Sequence, residues 1–136
     1  MSTLRPAILV GIGGALGTIS RFLLSAAIPW VAGVPLGTLL INVSGALVLG
    51  WLMSALAARG PDSGRRARSR LFFGTGVLGG YTTYSALAVD SFEAIATGSV
   101  VIGIAFAVGS VALGVACAAA GMLLGRRWPL IRTARG

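Results

Sequence analysis

The run Gly-Val-Leu-Gly-Gly-Tyr-Thr-Thr-Tyr-Ser, residues Gly76 to Ser85, interrupts a stretch from Leu71 to Val89 that carries no charge. It is apolar enough for lipid but poor material for a continuous helix. Glycine costs about 1 kcal/mol against alanine in a helix interior, and threonine hydroxyls compete for backbone hydrogen bonds. A break at membrane depth frees N–H and C=O groups that lipid cannot satisfy, and it is tolerated only when buried in protein or lining a cavity. Freed carbonyls can coordinate a cation, while the N-terminal end of a half-helix favours an anion. A kinked helix whose threonine hydroxyls bond back to the i−4 carbonyls is the alternative reading.

Working outward, the rest of the chain is more hydrophobic than a soluble domain can hide. Its 136 residues leave room for one domain, and the mean hydropathy is +0.92 with only 10% charged residues. A bilayer core about 30 Å thick needs about 20 helical residues. Four spans satisfy that length, at approximately residues 6–28, 35–58, 71–92 and 99–125. The fold class expected is an all-α membrane protein whose third span is broken near its middle. The first apolar stretch leads to no convincing cleavage site and reads as a retained span.

Charge orients these spans. Eleven arginines and no lysine face three acids. With four spans, Arg5, the five arginines from Arg59 to Arg70, and the four from Arg126 to Arg135 share one side, against Asp62 alone. The opposite loops hold no basic residue, and Asp90 and Glu93 lie near the end of the third span. Positive charge stays inside, so both termini are expected in the cytoplasm of an inner (plasma) membrane protein. Arginine blocks divided among hydrophobic spans do not make a nucleic-acid surface. Small residues recur four apart at Gly13–Gly17, Gly76–Gly80, Ser110–Gly114 and Gly121–Gly125, a spacing that lets helix backbones approach in lipid.

Few polar residues interrupt the spans. Asn42 lies mid-span, where its amide can bond across a helix interface or donate to an anion. Arg21, in the first span, can bind an anion or bond to a helix end. No histidine is present, Cys117 is the only cysteine, and no span has a central acid. Catalysis by a nucleophile–base pair, a disulfide framework and proton-coupled transport all lack their groups. A small multidrug transporter of four spans would need an embedded glutamate, and a non-conducting scaffold is the other alternative. Asn, Ser and Thr donors with aromatic edges suit a small anion better than a cation.

Three motifs together resemble the Fluc/CrcB fluoride-channel family. They are Gly13 to Arg21 (GGALGTISR), Pro35 to Gly45 (PLGTLLINVSG) and Gly76 to Ser85, in the expected order and spans. The resemblance covers nearly the whole chain. It implies an antiparallel, dual-topology dimer with narrow fluoride pathways and passive efflux that protects the cytoplasm. It also implies a structural sodium ion (Na+) at the dimer centre, held by the main-chain carbonyls of Gly79 and Thr82 from each subunit. By motif position Asn42 and Ser85 line the pore, and Asp90 stands where the family usually has Glu near the pathway's end.

The chain departs from that pattern around its lining. The family's paired phenylalanines correspond to Tyr84 and Leu87, with Ala86 replacing the threonine between them. In the fourth span Phe106 replaces the tyrosine that precedes Ser110. Leu87 offers no ring edge, and Ala86 and Phe106 each lose a hydroxyl. A homodimer with one inverted copy needs balanced loop charges, which ten arginines on one side deny. The partner expected is therefore an inverted subunit, homo- or heterodimeric, with a paralogue of opposite charge bias favoured.

Overall fold

The computed structural model describes residues 4–127 and is all-helical, with no β-strand among them. Helix α1 (Leu4–Ala27) carries Pro6 in its first turn, where the missing N–H is no loss, and stops before Pro29. A tight turn closed by mutual Val31–Val34 backbone bonds leads to α2 (Leu36–Ala57), which starts immediately after Pro35. The arginine-rich loop then gives α3 (Gly64–Ser69), a π-helical segment (Arg70–Leu78) and the single turn α4 (Gly79–Tyr81). Thr82 and Thr83 are both extended before α5 (Tyr84–Ala96) begins, and α6 (Val100–Arg127) completes the chain.

Among the described residues three helices, α1, α2 and α6, are long and apolar enough to cross a membrane. The shortest has 22 residues, which rise about 33 Å. The segment between α2 and α6 is built differently, from four short helical pieces. Its π winding carries the Gly79 N–H back to the Gly74 carbonyl, five residues away. Four glycines between Gly74 and Gly80 leave few side chains to hold a normal α register there.

Glycine sets the packing. Gly13 and Gly17 are buried against the π-helical segment. A Cβ on Gly13 would lie 2.5 Å from the Phe72 carbonyl oxygen, and one on Gly17 would overlap the Val77 carbonyl. Gly76 and Gly80 answer from the other side, against the Gly13 Cα and the Gly14 carbonyl. The expected pairs Gly13–Gly17 and Gly76–Gly80 thus meet each other. Gly121 and Gly125 press on the backbone of α2 at Leu47, Trp51 and Ala55. Gly114 differs: a Cβ there would meet nothing within 4 Å among the described residues. α5 rests on α6 at Gly103, beside Ile95 and Ser91.

Most large apolar side chains point outward, including Ile8, Ile12, Phe22, Val101 and Val115. A soluble fold would bury them. Small residues occupy the helix contacts and bulky ones the rim, the arrangement lipid favours.

Candidate functional site

The break after Tyr81 is held by side chains from elsewhere in the chain. Asn42, in the middle of α2, accepts from the Thr83 N–H through Oδ1 at 2.8 Å and donates through Nδ2 to the Thr83 carbonyl at 2.9 Å. The Thr83 hydroxyl caps α5 by accepting from the Ala86 N–H at 3.1 Å. Thr82 donates through both its N–H and its hydroxyl to the Leu78 carbonyl, at 3.0 and 2.9 Å. Its methyl lies against Gly45, where a Cβ would overlap it. Tyr81 and Ser44 share a hydroxyl–hydroxyl bond of 3.1 Å.

These bonds redirect donors. In an unbroken helix the Thr83 N–H would serve the Gly79 carbonyl, and the Ala86 N–H would serve the Thr82 carbonyl. Here the first goes to Asn42 and the second to the Thr83 side chain. The Gly80 carbonyl takes replacements instead: Arg21 donates to it through Nε at 3.2 Å, and Thr18 makes a longer 3.4 Å contact. Arg21 therefore bonds to a helix end, one of the two roles open to it from sequence. Gly79 itself is exposed.

Beside the break lies a groove of about 230 Å³ between α2, α5 and α6. Asn42, Thr82, Thr83, Tyr84, Leu87, Ser110 and Val111 line it. Tyr84 is 81% exposed and reaches outward, whereas Leu87 is 8% exposed. The Ser110 hydroxyl is buried and has no hydrogen-bond partner among the described residues. An orphan hydroxyl of this kind is costly unless a water or ligand serves it. Ser110 also joins Phe106 in a neighbouring groove of about 300 Å³ between α2 and α6.

The remaining expected residues lie outside the first groove. Ser85 is exposed and bonded to the Thr83 hydroxyl at 3.2 Å. Asp90 accepts from the buried Thr38 hydroxyl at 2.5 Å, which ties α5 to α2 one turn away from Asn42. Among the described residues no cluster of His, Cys, Asp and Glu could hold a metal ion. A cation at the break would have to use carbonyl or hydroxyl oxygens.

Sequence reasoning gave no role to Thr83, Thr38 or Thr18; Thr83 caps α5 at the break, Thr38 ties α2 to α5, and Thr18 contacts the Gly80 carbonyl. Thr83 carried a usable signal, since threonine before a helical run is a favoured N-cap. Thr38 and Asn42 are four apart, as Thr18 and Arg21 are three apart, and such spacings share one helix face.

Comparison with known proteins gives the class of protein that this arrangement belongs to. Residues 8–122 match the family described as CrcB-like protein, Camphor Resistance (CrcB), and the chain is a member of that family. It is 59% identical over 102 residues to fluoride-specific ion channel FluC 2 of Leifsonia xyli subsp. xyli, covering 75% of this chain and 70% of that one. It is also 36% identical over 131 residues to fluoride-specific ion channel FluC of a Synechococcus species, covering 93% and 96%. A third relative, fluoride-specific ion channel FluC of Pyrococcus furiosus, is 41% identical over 95 residues, covering 70% and 75%.

Proposed function

We propose that the chain is a subunit of a fluoride channel, not an enzyme, that lets fluoride leave the cytoplasm down its own gradient. The observation that carries this reading is the groove beside the helix break, in a chain whose relatives are named fluoride-specific channels. Asn42 keeps a second amide hydrogen beyond the one it donates to Thr83, and Ser110 has an unpartnered hydroxyl. Those two donors can replace part of the water shell of a small anion. The Tyr84 ring edge, positive in its quadrupole, and the apolar Leu87 complete the lining. No carboxylate or histidine lines it to carry a proton, which supports passive transport.

The site also fits a structural sodium ion. The Gly79 and Thr82 carbonyls have lost their helical donors to Asn42 and Thr83, and oxygen is the donor that a hard cation takes. Two such carbonyls from each of two subunits would hold it. Bound there, sodium supplies a fixed positive charge between two copies. The third segment, Arg70–Ala96, then crosses the bilayer as a broken span, and the assembly is an antiparallel dimer in the plasma (inner) membrane.

The charge bias favours a particular partner. Ten arginines share one face of the expected topology, so this chain enters the membrane with both termini cytoplasmic. An inverted subunit would come from a family member of opposite bias. Fluoride efflux from liposomes carrying this chain alone, and with such a partner, tests the pairing. Efflux that needs both is expected; robust efflux from the lone chain would remove the need for a paralogue.

A further inference from the structure

Nothing covalent forces the break at Thr82–Thr83. From Gly79 to Ala96 the chain has no proline, so the Thr83 N–H could close on the Gly79 carbonyl and carry α4 into α5. What prevents this is a tertiary clamp. The planar carboxamide of Asn42 meets the N–H and the C=O of the same residue, Thr83, at 2.8 and 2.9 Å. A paired contact of that kind fixes orientation as well as distance. Gly45, one turn from Asn42 on α2, leaves room for the Thr82 methyl and the Tyr81 ring beside it.

We infer that Asn42 is a positioning residue for the cation site: by holding Thr83 it keeps the break open and the Gly79 carbonyl free. This rests on the reading of Gly79 and Thr82 as sodium ligands. Asn42 touches the groove as well, so one amide serves the anion lining on one side and the cation carbonyls on the other. Losing it lets the helix close, ties up the Gly79 carbonyl and weakens sodium even where no anion is present.

Proline provides a rescue that separates positioning from mere stability. Tyr84 opens α5, the position where proline is best tolerated. A proline there restricts the preceding residue to extended backbone, and Thr83 already sits at φ −148°, ψ 122°. Asn42→Leu with Tyr84→Pro should therefore keep the break without the clamp.

The test is the thermal midpoint of the full chain, purified together with a family member of opposite loop charge, as sodium chloride replaces choline chloride at constant ionic strength, which reports ligand binding to the folded state. Two lost membrane hydrogen bonds predict that Asn42→Leu weakens the sodium response about tenfold. Tyr84→Pro alone should keep it, and the double variant should regain it. A normal response in Asn42→Leu, or no recovery in the double variant while Tyr84→Pro responds normally, overturns the inference. Loss in Tyr84→Pro alone overturns it too, because proline would then not preserve the site. A wild-type complex without any sodium response fails the cation reading itself, which is a distinguishable result.

Discussion

The two halves of the third segment are packed in opposite ways. The half before the break lies backbone to backbone on α1, with Gly13, Gly17, Gly76 and Gly80 leaving no space for even one added carbon. The half after it, α5, meets α6 closely at Gly103 but parts from it toward Tyr84 and Leu87, where grooves open. The first half is a closed joint and the second borders open grooves. Between them stands the Asn42 clamp. On the proposed reading, a single segment is close-packed on one side of the cation carbonyls and open on the other, beside the anion lining.

Breaking the closed half should have the largest effect. Gly17→Val drives a side chain into the Val77 carbonyl, which only helix separation relieves, and overpacking of this kind costs about 1–3 kcal/mol or more. Gly114→Ala, with nothing within 4 Å, is its control. Thermal unfolding in detergent should show a large drop for the first and none for the second. Equal behaviour would mean that the small-residue contact on α1 does not hold the fold.

The open half answers in flux before stability. Ser110→Ala removes the orphan hydroxyl from the groove. A hydrogen bond to a charged group is worth about 1.5–3 kcal/mol, so fluoride efflux should fall tenfold or more while the melting midpoint stays or rises. A fall in the midpoint with unchanged efflux would assign Ser110 to packing. Smallest is Thr38→Val, which deletes one hydrogen bond to Asp90 across α2 and α5. Membrane hydrogen bonds average about 0.6 kcal/mol, so a midpoint decrease of a few degrees at most is expected.

Much of the closed half was legible in the sequence. Uninterrupted apolar runs bounded by Pro29, Pro35 and arginine blocks define the long helices, and glycines four apart announced the α1 joint. Spacing alone was not sufficient, because Gly114 has the same pattern and an added Cβ there would meet nothing within 4 Å among the described residues. The π-helical winding had no local signal beyond an excess of glycine. The clamp was harder still to foresee. Asn42 and Thr83 are 41 residues apart, and periodicity says nothing about which distant backbone an amide will find. Asn42 could have been interhelical glue or an anion donor when read from sequence; the structure spends one face on the first role and leaves the other face in the groove. Leu87 and Ala86 stood out as departures from the family's lining; Leu87 does line the groove, where it offers no ring edge, and Ala86 does not line it.

Fluoride against chloride efflux is the measurement that tests the account most directly. Liposomes would carry this chain together with a family member of opposite loop charge, each anion being followed with its own electrode. The groove and the family membership predict rapid fluoride release, little chloride release, and fluoride flux lowered by Asn42→Leu. Chloride release matching that of fluoride, or no fluoride release with the partner present, would contradict it.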